Sequence, residues 1–546
     1  MRAIVNGLLV VLLLAAAAAA QDQKQKAKPI DLSITAVGRQ HHPIQTKSKE
    51  AQEFFDQGIT LIYGFNHEEA ARSFQRAAEL DPASPMPLWG VALAVGPNYN
   101  VNVDAEREKL AFDTIQKAQQ LASASPQVEK DYVAALATRY SGDANPDYKQ
   151  LSQNYAAAMK ALAAKYPDDL DAATMYAESL MDLNPWKLWS ADGKPADNTL
   201  EIVAVLESVL ARNPDHAGAN HYYIHAVEAS PNPARALPSA HRLDTMVPQA
   251  GHLVHMPAHI YERTGDFDLA ARNNAEAAKV DSTYAQKAGQ VGSMYDLMYH
   301  SHNEHFEAMA ASMEGNYAQA KKAADNMAAR LMPHAKMMPM LDAFIMAPIW
   351  VDVRFGKWQE VLARPEPMKE LPGTHVMWRY SRALALAANG KVGEAEKERE
   401  LFIAEIGALP AEANFGEMNK AKNVLGIASN VVDARIAAAK GQKDAAIEHW
   451  TKAVAIQDTL NYDEPADWYY PARESLGAAL LAAGKAPEAE AVFRVDLQQN
   501  PRNPRSLYGL MQALQAQGNA ADAAWVETQF NAAWKNADAK LSVETM

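Results

Sequence analysis

One pattern of large and small apolar residues recurs along this chain and limits the folds it can adopt. Its first clear copy places apolar and turn residues at fixed offsets: Phe54, Gly58, Leu61, Ala70, Phe74, Ala77 and Pro82. The same offsets return in a second set: Gly477, Leu480, Ala489, Phe493 and Pro501. A third set repeats part of the pattern: Gly441, Ala446, Trp450 and Ala453. Because residues three and four apart share a helix face, each copy predicts two packed helices joined by a short turn.

These copies resemble the tetratricopeptide-repeat (TPR) family, whose unit is a 34-residue helix hairpin. Glycines mark the turns of successive units: Gly265, Gly315, Gly356, Gly390, Gly441, Gly484 and Gly518. The resemblance covers most of residues 50–535 and implies an all-α, right-handed superhelical solenoid of helix hairpins. It implies little about function, because such solenoids host many unrelated roles.

The chain divides into five predicted segments. Residues 1–20 have the form of a signal peptide, with a positive start at Arg2, an apolar run and a cleavage site near Ala20, which predicts a periplasmic or secreted protein. A polar leader follows over residues 21–49. The rest forms N-terminal TPR-like units (50–215), His-rich TPR-like units (216–340) and C-terminal TPR-like units with a cap (341–546). No stretch after the signal peptide is apolar enough to predict a membrane span.

Charge and cysteine content exclude several kinds of site. The 546 residues include 52 Lys and Arg against 66 Asp and Glu, a formal charge of −14, and we find no basic cluster. A nucleic-acid partner is therefore not expected, because phosphate binding draws on clustered basic residues. The chain has no cysteine, which excludes disulfides, iron–sulfur clusters, thiolate zinc sites and cysteine nucleophiles. Dinucleotide-binding, P-loop and Gly-x-Ser-x-Gly motifs are also absent.

Histidine is concentrated in one register. Eleven of the 16 histidines lie between His216 and His334. Pro214 and Pro248, 34 residues apart, set a frame in which three units begin at Ala217, Gly251 and Ser301. Seven of the nine second, fifth and ninth positions of these units are histidine: His221, His225, His252, His255, His259, His302 and His305. The motif His-x3-His-x2-Glu occurs twice, ending at Glu228 and Glu262.

This register predicts a metal centre. Histidines at these spacings share one helix face, and the first helices of TPR-family units line a concave groove, so the seven side chains are expected to face a common volume. Without cysteine the donors suit copper, which we favour, or iron or zinc. This set of histidine ligands resembles that of coupled binuclear copper sites. A site with one ion, in which the other histidines surround the ligands, is the alternative. Glu228 and Glu262 are candidate ligands, orienting partners of histidine, or general bases.

Three functions are consistent with this pattern. The first is a metal-dependent enzyme, an oxidoreductase acting on a small molecule or peptide in the groove. The second is a periplasmic metal carrier or store, and the third is a non-catalytic TPR scaffold that binds peptides or a partner protein. A lone histidine on an apolar face is more often a hydrogen-bonded core residue, but seven in register would be costly to bury without compensation. The motif His-Glu-x-x-His is absent, so a standard metalloprotease is not expected.

Other sequence features allow more than one interpretation. Residues 97–110, 184–198 and 283–298 break the repeat, and insertions in a solenoid often fall on the binding face, although simple loop drift explains them equally well. A methionine group follows the histidines and is either core or a Cu(I) delivery path: Met332, Met337, Met338, Met340 and Met346. Aromatic residues near the histidines are either core or a substrate wall: Trp186, Trp189, Tyr222, Tyr223, Tyr295 and Tyr299. Asp182 and Asp296 are candidate extra ligands.

Overall fold

A computed structural model describes residues 40–143, 145–416 and 418–546. The first helices are α1 (Lys49–Tyr63), α2 (His67–Leu80), α3 (Met86–Val95), α4 (Ala105–Leu121), α5 (Gln127–Ala137), α6 (Tyr148–Lys165), α7 (Leu170–Met181), α8 (Thr199–Arg212), α9 (Ala217–Val227), α10 (Leu237–Met246), α11 (Gly251–His255), α12 (Pro257–Thr264) and α13 (Phe267–Ala288). The predicted signal peptide and most of the leader lie outside the described residues.

The remaining helices are α14 (Ser301–Met313), α15 (Tyr317–Leu331), α16 (Asp342–Ile345), α17 (Ala347–Arg354), α18 (Trp358–Ala363), α19 (Pro372–Ala388), α20 (Val392–Ala408), α21 (Ala421–Ala439), α22 (Lys443–Gln457), α23 (Ala472–Ala482), α24 (Ala486–Gln499), α25 (Pro504–Ala516) and α26 (Ala520–Ala533). Strands in the described part of the chain are limited to β1 (Asn414–Phe415), which pairs antiparallel with β2 (Asn419–Lys420). The predicted all-α fold of TPR-like helix hairpins is confirmed. Across the described helices, none is both long enough and apolar enough to cross a membrane.

The described chain forms two compact units. The N-terminal unit contains residues 40–260 and 276–300, and the C-terminal unit contains residues 261–275 and 301–546. In the N-terminal unit consecutive helices pack on one another, as α1 does on α2 and α8 does on α9. In the C-terminal unit the same neighbour packing joins α14 to α15, α21 to α22 and α25 to α26. The five segments that the sequence predicts stay a prediction.

The repeated glycines and phenylalanines hold neighbouring hairpins together. The ring of Phe74 on α2 fills the space where a Cβ on Gly58 of α1 or Gly90 of α3 would lie. Phe493 on α24 fills the same kind of space between Gly477 of α23 and Gly509 of α25. One buried aromatic ring therefore packs against the helix before it and the helix after it. Glycine is required there because any side chain would overlap the ring.

The seven turn glycines occupy the positions that the repeat predicts. Each one lies between two helices and has a positive φ, from 61° at Gly356 to 85° at Gly315. Glycine adopts this left-handed conformation without the steric cost that a Cβ adds. These residues therefore both end one helix and turn the chain into the next.

Two of the three predicted insertions begin or end at residues other than those predicted. Helix α4 already begins at residue 105, because the side chain of Asp104 caps it by accepting a hydrogen bond from the amide of Arg107. Helix α13 continues to residue 288, so only residues 289–295 and the π-helical turn 296–300 depart from the hairpin pattern there. Residues 184–198 are non-helical, as Pro185 and Pro195 predict.

Within the C-terminal unit, the end of the chain packs back on an earlier hairpin. The carboxylate of Asp538 accepts hydrogen bonds from the amides of Tyr317 and Ala318, at 2.7 and 2.9 Å, and so caps α15. The methionine group also lies in this unit, where its members differ in burial. Met346 is buried in the core, whereas Met332 and Met337 are exposed.

Candidate metal centre

Two helical segments of the N-terminal unit carry five of the predicted histidines. Helix α9 presents His221 and His225 one turn apart, and Glu228 follows at its C-terminal end. The paired segments α11 and α12 carry the other three: His252, His255 and His259. The two segments are separated at Met256, because Pro257 cannot donate a backbone hydrogen bond to continue α11.

Three of these histidines meet in one buried group, which we call the three-His group: His221, His225 and His252. One ring nitrogen from each lies within 4.8 Å of the others. The three side chains belong to residues that are only 0%, 3% and 4% exposed, respectively. The Nε2 atoms of His221 and His252 are 3.1 Å apart. The register inferred from the sequence therefore brings together residues from two consecutive repeat units.

A backbone carbonyl fixes the ring of His221. Its Nδ1 lies 2.6 Å from the carbonyl oxygen of Tyr63, at the end of α1. Since a carbonyl can only accept, Nδ1 carries the proton and Nε2 keeps its lone pair. Helix α9 can approach Tyr63 this closely because residue 218 is glycine, where a Cβ would overlap the tyrosine ring.

Glu228 joins two histidines through its carboxylate. Its Oε1 accepts from Nδ1 of His225 at 2.7 Å, and its Oε2 accepts from Nδ1 of His259. Both rings are thereby oriented with Nε2 pointing away from the carboxylate. Nε2 of His225 has no hydrogen-bond partner among the described residues, and Nε2 of His259 lies 2.6 Å from Nε2 of His255.

Burial keeps the three-His group neutral. It lowers the pKa of His221 and of His252 well below 6.5, and neighbouring histidines lower it further. Burial also lowers the pKa of His225, against the opposing effect of Glu228. Burial alone would raise the pKa of Glu228, but His259 and His225 outweigh it and lower that pKa well below its usual value. Neutral imidazoles with one carboxylate are the protonation states that bind metal ions.

Aromatic rings enclose the three-His group. Phe65 lies 4.5 Å from His221 and 5.1 Å from His252 between ring centroids. Tyr99 and Trp186 stack on each other and lie 5.6 and 5.9 Å from His225. Phe65 and Trp186 have positive φ, 55° and 63°, as do two other non-glycine residues of the described chain, Asn198 and Arg502. Such strained residues tend to cluster at functional sites.

Two of the three predicted insertions contribute rings to this wall. Tyr99 comes from residues 97–104 and Trp186 from residues 184–198, and each places a ring beside His225. Tyr222 also contacts Phe65, at 5.9 Å between centroids. Trp186 and Tyr222 are among the aromatic residues that the sequence singled out, whereas Phe65 and Tyr99 are not. Their role as a wall for a substrate stays a prediction.

Three further predicted residues belong to the C-terminal unit. His302 and His305 are on α14 of the C-terminal unit, and Glu262 is half-buried in α12, also in that unit. Their roles as ligands or base stay predictions. His305 is buried against Phe344 and Tyr469, and burial lowers its pKa to about 3. Of the two extra candidates, Asp182 pairs with buried Arg139, and Asp296 accepts from Nδ1 of His300 at 2.9 Å.

A second buried group shows what a fully hydrogen-bonded cluster looks like in this protein. The carboxylate of Asp171 contacts Nδ1 of His42 at 2.8 Å, Nε2 of His216 at 3.2 Å and the hydroxyl of Tyr63 at 2.6 Å. Nδ1 of His216 accepts from the amide of Ala219 at 3.1 Å. These contacts tie the leader residue 42 to α1, α7 and α9 and give the group a structural role.

Sequence reasoning missed Tyr63, Phe65 and Tyr99 as parts of the site. Tyr63 contributes a backbone carbonyl, for which no side-chain pattern exists. Phe65 lies in a turn 156 residues before His221. No local sequence pattern marks it as a neighbour of the histidines. Tyr99 lies in a predicted insertion, and that insertion was the one available signal.

Comparisons with known proteins add little to this picture. No family model matches the chain, and no curated protein matches it. Among solved structures, the human IFIT1 dimer with m7Gppp-AAAA is 14% identical, with 93% of this chain and 95% of that chain covered and a TM-score of 0.30. Yeast Tom70 is 13% identical, with 88% and 97% covered and a TM-score of 0.31. At these scores neither likeness bears on function.

Proposed function

We propose that the three-His group binds a transition-metal ion and that the protein is a metal-dependent enzyme with oxidative chemistry. The observation that carries this proposal is the convergence of three buried, neutral imidazoles whose ring nitrogens lie within 4.8 Å of one another. Copper is the favoured ion, with iron or zinc as alternatives, since imidazole donors without thiolate suit all three. A small-molecule or peptide substrate remains part of this proposal.

The donor set fits such an ion. Two nitrogens bound to one ion at about 2.0–2.1 Å can be at most about 4.2 Å apart. The 3.1 Å between His221 and His252 lies inside this limit. Nε2 of His225 is buried without a hydrogen-bond partner among the described residues, which is costly unless something binds it.

The residues around the ligands support reactivity. Glu228 and the Tyr63 carbonyl hold the Nδ1 protons of His225 and His221, which fixes the rings and raises the basicity of the opposite nitrogens. Three protein ligands are the number found in catalytic zinc sites, which keep a further position open. A bound copper or iron ion would supply Lewis acidity and one-electron redox chemistry. Phe65, Tyr99 and Trp186 exclude bulk water from this volume.

Burial argues against a carrier. A carrier has to load and release its ion, whereas the three ligands here are almost inaccessible and held by hydrogen bonds on their far side. His255 and His259, whose Nε2 atoms are 2.6 Å apart, offer a further pair of donors beside the group. A second ion is therefore part of the proposal, as the sequence suggested.

Elemental analysis of untagged protein tests this proposal. Purified parent protein, reconstituted separately with copper, iron and zinc and then desalted, is expected to retain about one or two equivalents of one ion. His225→Ala is expected to lose at least one equivalent. His449→Ala is the matched control, because His449 lies on α22 outside the group and is partly exposed.

Each outcome is decisive. Loss of metal in His225→Ala but not in His449→Ala supports the site. If the parent retains no ion after each reconstitution while its helical circular dichroism is intact, the proposal is wrong. Oxygen-consumption assays with the loaded parent then separate an enzyme from a store.

A further inference from the structure

Three tyrosines of the N-terminal unit form a continuous row that begins at the three-His group. The ring of Tyr299 lies 5.4 Å from that of His252, between centroids. Tyr299 stacks on Tyr295 at 5.0 Å, with an interplanar angle of 19°. Tyr295 meets Tyr284 edge-on at 5.4 Å. Four rings in sequence therefore connect a proposed metal ligand to helix α13.

Two of these tyrosines donate to buried carboxylates. The hydroxyl of Tyr295 donates to Oδ1 of Asp281 at 2.9 Å. The hydroxyl of Tyr284 donates to Oε2 of Glu69 at 2.9 Å. A carboxylate in this position can take the phenolic proton at the moment when the ring loses an electron, so that no charge is left on the ring.

The row ends close to the surface. Arg72, whose side chain is 18% exposed, donates a hydrogen bond from Nη2 to the hydroxyl of Tyr284 at 3.1 Å. A narrow cleft runs beside the row and is lined by Asn66, Gln249 and the last two tyrosines. Tyr284 is itself 6% exposed, and the partly exposed side chain of Arg72 lies one hydrogen bond away from it.

All three phenols are protonated at neutral pH. Burial raises the pKa of Tyr299 to about 12, and it also raises the pKa of Tyr295 and of Tyr284 above its usual value of 10. Oxidation of a protonated phenol is feasible only when a base receives its proton. Asp281 and Glu69 are placed to be that base for Tyr295 and Tyr284.

We propose that Tyr295 and Tyr284 form a path for single electrons between a metal ion at the three-His group and the protein surface. Tyr299, which is edge-on to His252 and stacked on Tyr295, is the bridge across which the electron passes without itself losing a proton. The partner of this path is an external one-electron donor that never contacts the metal ligands. This inference rests on the proposed metal centre.

Each electron transfer along the row is coupled to the transfer of a proton. Tyr295 gives one electron to the oxidised metal ion, which is reduced, and its O–H proton moves to Asp281. Tyr284 then gives one electron to the Tyr295 radical, which regains its proton from Asp281, while the Tyr284 proton moves to Glu69. An external one-electron donor reduces the Tyr284 radical, and Glu69 returns the proton. The net change is one electron from the donor to the metal ion.

The absence of cysteine allows a clean test. Lys287→Cys places a single thiol on α13, exposed and one turn from Tyr284, for attachment of a ruthenium–bipyridine photosensitiser. The labelled protein is loaded with Cu(I), and a flash with a diffusing quencher generates Ru(III). Electron flow along the row then reduces Ru(III) and converts Cu(I) to Cu(II), which is followed by electron paramagnetic resonance.

Tyr295→Phe keeps the stacked ring but removes the phenol. The rate of Cu(II) formation is expected to fall by roughly tenfold or more, about 1.4 kcal/mol on the barrier. Tyr132→Phe is the matched control, because Tyr132 is also fully buried and also donates to a carboxylate, that of Asp169 at 2.8 Å, but lies outside the row. Asp281→Asn is expected to slow the reaction and to reduce its solvent deuterium isotope effect.

The results separate this inference from the proposed function. Equal rates in parent, Tyr295→Phe and Tyr132→Phe, with copper bound in each, overturn the electron path and leave the metal centre standing. Protein that retains none of copper, iron and zinc overturns both, and protein that retains zinc alone overturns the electron path, because zinc has no accessible redox change. A fall in Tyr295→Phe alone supports the path, and the copper content measured in the same samples excludes loss of metal as its cause.

Discussion

Nδ1 of His221 donates to the carbonyl oxygen of Tyr63 across 158 residues of sequence, at a distance of 2.6 Å. This contact fixes the ring of a proposed metal ligand to the end of the first hairpin helix. It also sets the tautomer, because the carbonyl can accept only from a protonated nitrogen. Packing between distant hairpins therefore determines which nitrogen of His221 is available to a metal ion.

Gly218→Ala is expected to disturb this contact. The new methyl group would overlap the ring of Tyr63, and overpacking of this kind costs about 1–3 kcal/mol of unfolding free energy. Metal affinity is expected to fall as well, since α9 must move away from Tyr63. Urea unfolding of the metal-free protein and competition with a chelator measure the two effects.

Gly393→Ala is the control for this substitution. Gly393 is likewise the second residue of a helix, but no atom lies within 4 Å of an added Cβ. The stability is expected to stay the same or to rise by about 0.5–1 kcal/mol, the usual gain for alanine over glycine in a helix. Equal losses in both variants would contradict the importance of the Tyr63 contact.

Glu228→Gln is expected to weaken metal binding without abolishing it. The amide keeps the size of the side chain but cannot accept from both His225 and His259 through two charged oxygens. Loss of such an orienting partner typically lowers metal affinity about 10–100-fold. Isothermal titration with the metal identified by elemental analysis measures this change. Glu207→Gln, at an exposed ion pair with Arg235, is expected to bind metal normally.

Trp186→Gly is expected to open the three-His group to solvent. Trp186 has φ of 63°, a conformation that glycine adopts without strain, so removal of the ring should leave the backbone in place. Extraction of the ion by a chelator is expected to become about tenfold faster, a loss of about 1.4 kcal/mol of ring contacts. Trp525→Ala, at a residue 68% exposed, should leave the rate unchanged. No acceleration in Trp186→Gly would show that the ring does not guard the site.

The Asp171 group predicts how stability depends on pH. Burial alone would raise the pKa of Asp171, but hydrogen bonds from His216 and His42 outweigh it and lower that pKa well below 3.8. The contribution of ionised Asp171 to the unfolding free energy is therefore present above about pH 4 and is lost as the pH falls further. Burial alone would lower the pKa of His42, but Asp171 outweighs it and raises that pKa above 6.5. The contribution of protonated His42 to the unfolding free energy is full below about pH 6.5 and is lost at higher pH.

The unfolding free energy is thus expected to be greatest between about pH 4 and pH 6.5. Asp171→Asn should lower it by about 3 kcal/mol at pH 6, the cost of breaking a buried charged pair, and should flatten both sides of the profile. Urea unfolding from pH 3 to pH 8 measures this. His41→Gln is the control, because the side chain of His41 is 62% exposed and its ion pair contributes little. An unchanged profile in Asp171→Asn would remove this explanation.

The local pattern was sufficient to predict the hairpins. Periodic apolar residues identified paired helices, and glycine spacing identified seven turns that all have positive φ, because both signals depend on residues a few positions apart. The same periodicity placed His221 and His225 on one helix face, and His252, His255 and His259 on the next helical segments. The sequence by itself therefore determined the fold class and the presence of a histidine face.

Only the tertiary structure decided how the histidines are used. The three-His group is surrounded by residues that are distant from it in sequence. They are the carbonyl of Tyr63, the ring of Phe65 and the rings of Tyr99 and Trp186, which come from insertions. The same packing assigned Glu228 to two histidines at once. Such contacts have no local signature, because they depend on how hairpins pack and on where an insertion folds back, and periodicity within a helix carries no information about either.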